Sequence, residues 1–229
     1  MSEAEPCRLA IVALEDAYQA VFSAARVGMT AEEVDAILRA RLAAHQAELL
    51  PSSSSPYVVA EGGAPPKMRL NRVPLRAGAL WGMDTTIRRL GYCADLGRYG
   101  YFGPVPAALQ EAHRQVLARQ ELIEQAIRPG RSVRMIFEAV PHDLPFEIHR
   151  IGTEGNMLPM CGNATKAVLQ AMAESERAGL TFQVGQVICI EIWAGLKGGI
   201  EDMYILEAEG VRRLSLLPRE IRAVRVAGT

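Results

Sequence analysis

The chain has 229 residues, 49% of them hydrophobic, and a formal charge of −1 at neutral pH, which suits one well-filled core or two fused half-domains. Near-neutral charge without a long basic run argues against nucleic acid and against an anionic membrane surface as partners. No apolar stretch reaches the roughly 18 residues of a membrane span, and the start MSEAEPCRLA lacks the pattern of a secretory leader, so a cytoplasmic location is expected.

In chain order, Cys7 to about Arg26 predicts an amphipathic helix, with Leu9, Ile11, Val12, Leu14, Tyr18, Val21 and Phe22 near helical spacing. Thr30-Ala-Glu-Glu33 is a capping box that opens a second helix to about Gln46. Pro51 and serines 52–55 predict a loop, Tyr57–Ala60 a short strand, and Gly62 to Pro66 a further irregular segment. Leu80–Ile87 and Tyr92–Tyr99 predict a hairpin across a turn at Arg88–Gly91. Helices are expected over Val105–Ile127, stopped by Pro129-Gly130, and over Val133–Val140. A polar, glycine-containing run, His149–Asn163, precedes another helix to about Ala178. A second hairpin, Val187–Trp193 with Ile200–Leu206, flanks the turn AGLKGG, and a last strand, Ile221–Val226, is expected at a sheet edge. Helices followed by an acidic hairpin thus occur twice, which suggests two related α+β halves around one central site.

The hairpins carry the chemistry. Centred between Arg89 and Leu90, the first sets Asp84 directly opposite Asp95; centred on Leu196, the second sets Glu191 opposite Glu201. Facing carboxylates lie with their Cβ atoms roughly 5 Å apart and repel, so in apolar strands they need a proton or a cation between them. One such pair is weak; two point to a shared cation cluster. His149 follows apolar Phe146 and Ile148 and precedes Gly152 and Gly155, where backbone can approach a ligand. Four carboxylates and one imidazole suit Mn²⁺, Fe²⁺, Co²⁺ or Zn²⁺. That many oxygens fit two ions, which about 3.5–4 Å apart hold a bridging water, lower its pKa and polarise a carbonyl. The reaction expected is hydrolysis of an amide. The four cysteines (Cys7, Cys93, Cys161, Cys189) form no CxxC pair, so a disulfide framework or zinc ribbon is not indicated. Cys93 shares a strand face with Asp95 and Cys189 with Glu191; both are expected to be small buried hydrophobes. Trp81 and Trp193 are expected in the core or a pocket wall.

Together these residues resemble the pita-bread-fold metallopeptidases: methionine aminopeptidase, aminopeptidase P, prolidase and creatinase. The resemblance runs from RVGMTAEEV to GIEDMYILEAEGVRRLS. It implies an α+β fold of two pseudo-symmetric halves around a curved antiparallel sheet, with residues 1–229 as a single catalytic-type domain. The family's five metal ligands match Asp84, Asp95 (GYCAD), His149 (HRIG), Glu191 (GQVICIE) and Glu201 (IED). Glu191 matches the glutamate proposed to take the proton from the bridging water. The implied cofactors are two divalent ions, manganese foremost, with cobalt, iron or zinc as alternatives; the implied substrate is a small peptide or amide, and the implied assembly a homodimer. On this resemblance the chain is expected to open directly on the first helix of the catalytic unit, without the N-terminal domain of prolidase and aminopeptidase P.

Departures accompany the matches. Lys67 stands where the family has a substrate-holding histidine, and Asn156-Met157 where it has a histidine and glutamate. Lys67 and Asn156 keep hydrogen-bond donors there and are the other catalytic candidates. Gly199-Ile200 replaces the arginine found before the ED pair in proline-specific members, and Thr85-Thr86 follows Asp84 in place of glycine. Two registers fit His149: as the ligand, which puts GNMLP on the family's HExP segment, or as an extra histidine four residues earlier, which leaves Thr153 at the ligand position. The first is favoured. The resulting expectation is a dinuclear-metal, Xaa-Pro-peptidase-like hydrolase. The competing expectations are a catalytically silent or repurposed pita-bread protein that binds a small ligand or partner, and a metal-assisted lyase.

Overall fold

The computed structural model describes residues 4–50, 54–58, 74–152, 157–161 and 179–225. The expected irregular segment at 62–66, the helix over 163–178, Lys67, Thr153 and Asn156 lie outside them. None of the helices among the described residues is long and apolar enough to cross a membrane.

Helix α1 (Ala4–Ala24) buries Cys7, Ile11, Leu14, Tyr18 and Val21 along one stripe. Leu9 and Val12, expected on that stripe, are exposed, because they fall on the opposite side of the turn. α2 (Ala31–Ala44) begins with the expected capping box: Glu33 N donates to Thr30 Oγ1 at 3.2 Å and Thr30 N donates to Glu33 Oε2 at 2.7 Å. Strands β1 (Ala47–Leu49) and β2 (Ser54–Val58) both pair with β3 (Leu80–Arg89), which forms a hairpin with β4 (Tyr92–Phe102). Tyr18 donates its hydroxyl to Leu96 O at 2.5 Å and so fastens α1 across the back of this hairpin.

The second half repeats the plan. α3 (Ala107–Ala126) and α4 (Val133–Ala139) precede β5 (Phe146–Arg150) and β6 (Met157–Cys161), then the hairpin of β7 (Val187–Ile192) and β8 (Ile200–Glu207). Gln120 on α3 donates to Ile190 O at 3.2 Å and to the Tyr204 hydroxyl at 2.9 Å, the counterpart of the Tyr18 tie. β9 (Gly210–Arg213) extends β8, and β10 (Arg222–Val224) completes the sheet. The sheet order is β1-β3-β4-β8-β7-β5-β6, with β4 and β8 joining the halves through Gly97 and Glu201.

Two placements refine the sequence expectations and one corrects them. His149, the first residue of the polar run, lies within strand β5, because Phe146-Glu147-Ile148-His149 alternates as a half-buried strand does. β10 pairs with a free strand edge, as expected: it runs parallel to the end of β4, at Gly100–Phe102, beyond the point where β8 pairs with that strand. The first hairpin also turns one residue later than expected. Leu90 and Gly91 form a two-residue turn with φ of 53° and 81°, which pairs Arg89 with Tyr92 and therefore Asp84 with Gly97, not with Asp95. Two consecutive positive φ values are the requirement of the hairpin turn whose twist matches its strands.

Candidate metal centre

Register alone assembles the site. Across five strands, β3, β4, β8, β7 and β5, one line of paired residues reads Asp84, Gly97, Glu201, Glu191, Glu147. The next line on the same face carries Thr86 opposite Asp95, then Met203, Cys189 and His149 paired in succession. Asp84 and Asp95 are thus diagonal neighbours on one face, while Glu191 and Glu201 are directly opposed as expected. Gly97 lets the halves close: a Cβ there would lie 3.0 Å from Glu201 Cβ and 3.2 Å from its backbone nitrogen. Helices cover the other face, so the polar lines look inward.

Asp84, Asp95 and Glu201 each offer a carboxylate oxygen within 4.8 Å of the others, and His149, Cys189 and Glu201 form a second group with the same limit. His149 Nε2 lies 3.6 Å from Asp95 Oδ2 and 3.4 Å from Glu201 Oε1. His149 is 4% exposed, Asp95 2% and Glu201 1%. Asp95 is oriented by Thr86 Oγ1, which donates to its Oδ2 at 2.9 Å. Yet His149 Nε2 and both Glu201 carboxylate oxygens have no hydrogen-bond partner. A buried unbonded carboxylate costs several kcal/mol unless a proton or cation satisfies it. Removal from water, then the charges of Asp95, Glu191 and Asp84, push the Glu201 carboxyl far up. Burial, then Asp84, Asp95 and Glu147, does the same to Glu191. For His149, burial alone would lower the imidazolium pKa, but Asp95, Glu147 and Asp84 outweigh it and raise it. The His149 shift reports the negative charge around it, and the two glutamate shifts combine burial with that charge. These orphaned atoms, with the Asp84 and Asp95 carboxylates beside them, are a donor set that fits a divalent cation.

The sequence reading missed Glu147. It is paired with Glu191 on β5, is half-buried, and places Oε1 4.0 Å from His149 Nδ1. The alternation Glu147-Ile148-His149 was the available signal, since residues two apart share a strand face. It also missed the support behind the sheet. Buried Arg98 donates to Glu201 O at 2.7 Å, to Gly97 O at 2.8 Å and to Asp202 Oδ1 at 2.5 Å. Asp202 also accepts from Arg219 at 2.7 Å and from the Ser215 hydroxyl. Trp81 is core, stacked 5.6 Å from Phe102, and Trp193 is half-buried.

Residues 5–213 match the model of metallopeptidase family M24, and the chain belongs to that family. Its fold is the family's α+β pita-bread fold. Similar solved structures include the X-Pro aminopeptidase from Thermotoga maritima MSB8, at 22% identity and a TM-score of 0.75 over 97% of this chain and 62% of that one. The Xaa-Pro dipeptidase from Bacillus anthracis aligns at 20% identity and a TM-score of 0.74, over 97% and 62% respectively. The prolidase from Pyrococcus furiosus aligns at 19% identity and a TM-score of 0.69, over 95% and 64%. At such identities the likeness is one of fold, and the chain spans about three fifths of the length of these proteins. No curated protein matches the sequence.

Proposed function

We propose that residues 1–229 form one catalytic unit, a dinuclear-metal hydrolase of a small amide or peptide of Xaa-Pro type. Asp84, Asp95, His149, Glu191 and Glu201 would be the metal ligands, with manganese the first expectation and cobalt, iron or zinc the alternatives. The observation that carries the reading is the unbonded state of His149 Nε2 and both Glu201 oxygens inside a buried acidic cluster. Divalent ions held there would supply Lewis acidity, acidifying a water and polarising the scissile carbonyl. The Glu191 carboxylate, recessed but not closed off from solvent, would take the proton from the attacking water and pass it to the leaving nitrogen. Thr86 would hold Asp95 in place. Lys67 and Asn156 would donate hydrogen bonds to the substrate carbonyl in place of the two family histidines. Cytoplasmic action as a homodimer belongs to the same proposal.

Those two replacements also favour a second reading, in which the chain keeps the ions but binds a ligand without turning it over. Removing an oxyanion-type donor costs roughly 10²–10³ in rate. A panel of dipeptides, including Xaa-Pro, assayed with the metal-loaded protein and with Glu191→Ala decides between them. Metal-dependent cleavage abolished in Glu191→Ala is the expected result. No cleavage of any peptide by the loaded protein selects the silent reading, and cleavage unchanged in Glu191→Ala contradicts the role given to that carboxylate.

A further inference from the structure

Cys189 is a fully buried free thiol in the middle of β7. Its backbone pairs with His149 on one side and Met203 on the other, so it stands in the second polar line of the sheet face. Its Sγ, an imidazole nitrogen of His149 and a Glu201 oxygen all lie within 4.8 Å of one another. Packing accounts for a small side chain there, but not for a polarisable sulfur set against the atoms that lack hydrogen bonds. Two atoms bound to one ion are separated by at most the sum of their bond lengths, about 4.4 Å for nitrogen and sulfur on zinc. The 4.8 Å within which all three atoms lie exceeds that sum by about 0.4 Å, a gap that small side-chain rotations close on binding.

We infer that Cys189 is a sixth ligand of the centre, a thiolate that joins His149 and Glu201 around one of its two ions. The inference rests on the metal-centre reading above. It makes the two positions chemically unequal. Asp84, Asp95 and Glu201 form a hard, all-oxygen group; His149, Cys189 and Glu201 form a group with nitrogen and sulfur, and Glu201 is common to both. On binding, the Sγ–H bond breaks, the sulfur-to-metal bond forms and the proton leaves to solvent; a coordinating thiol is deprotonated outright by its cation. No redox partner is involved. Soft sulfur favours zinc, cobalt or cadmium over manganese, so the second position sorts metals while the first does not.

The test is cadmium added to the chelator-treated full chain, with bound metal measured by elemental analysis and the near-ultraviolet sulfur-to-cadmium charge-transfer absorption recorded alongside. The expected result is absorption that saturates with one equivalent, is absent in Cys189→Ser, and leaves manganese stoichiometry unchanged in that variant. The preference for cadmium over manganese should fall roughly tenfold or more in Cys189→Ser. Bound cadmium without sulfur absorption in the wild type, or absorption that persists in a folded Cys189→Ser, overturns the inference and leaves the metal centre standing. Failure to bind any metal removes both. If the serine variant does not fold, Cys189→Ala takes its place, and bound cadmium without sulfur absorption in the wild type overturns the inference by itself.

Discussion

Glu201 is held from two sides for opposite reasons. Its backbone carbonyl accepts from buried Arg98 behind the sheet, while its carboxylate faces Asp95 and His149 with neither oxygen bonded. Glu201→Gln removes a carboxyl that must take up a proton to stay buried without metal, so it should raise the melting temperature of the metal-free protein at neutral pH. It should also weaken metal binding by more than the 10–100-fold that outer-shell changes cost; scanning calorimetry with and without chelator checks both. Gly97→Ala puts a methyl 3.0 Å from Glu201 Cβ. Such overpacking costs about 1–3 kcal/mol, and urea denaturation should show that loss together with weaker metal binding. Arg98→Met leaves Asp202 with Arg219 at 2.7 Å and with the Ser215 hydroxyl, but without its buried arginine partner. Breaking a buried pair costs about 3–5 kcal/mol, and the remaining arginine should keep the measured loss near the lower figure.

Among the elements, the first hairpin states how far sequence reaches. Which strands form was legible from alternation, and so was the face that Asp84 and Asp95 share. The register was not, because it depends on whether Leu90 accepts a left-handed conformation, and a leucine gives no sign of that. Its φ of 53° moves the turn by one residue and Asp84 from opposite Asp95 to opposite Gly97. The second hairpin, with glycines on both sides of its turn, set Glu191 opposite Glu201 as the spacing implied. Strand β5 was hidden because its run is short and lies beside a glycine-rich segment; with it went Glu147. The Arg98–Asp202 pair was also invisible, being a contact between residues far apart in the chain. Leu90 is 66% exposed, so it contributes little packing to offset its backbone conformation. A left-handed non-glycine residue costs about 1–2 kcal/mol, and asparagine is favoured before glycine in this turn. Leu90→Asn should therefore stabilise the protein by about 0.5–1 kcal/mol in urea denaturation, with the metal stoichiometry unchanged.

For the whole molecule, the acidic face sets the pH dependence. Glu191, Glu201 and His149 all have raised pKa values in the folded chain. Between their ordinary values and the raised ones, the folded chain holds more protons than the unfolded chain. Stability of the metal-free protein must then fall as pH rises through that window, by up to about 1.4 kcal/mol per pH unit for each group. The melting temperature of chelated protein should drop from pH 5 to pH 8. Added divalent metal should reverse the trend, most at the higher pH, with about 2.7 kcal/mol gained at a hundredfold excess over Kd. A chelated protein that gains stability over that range would show that protons are not what balances the cluster in the absence of metal. The measurement that bears most directly on the account is elemental analysis of protein purified without chelator and equilibrated with manganese, cobalt and zinc in turn. About two equivalents in the wild type, lost in folded Asp95→Ala, is the expected result; a folded wild type that retains none of these metals would contradict it.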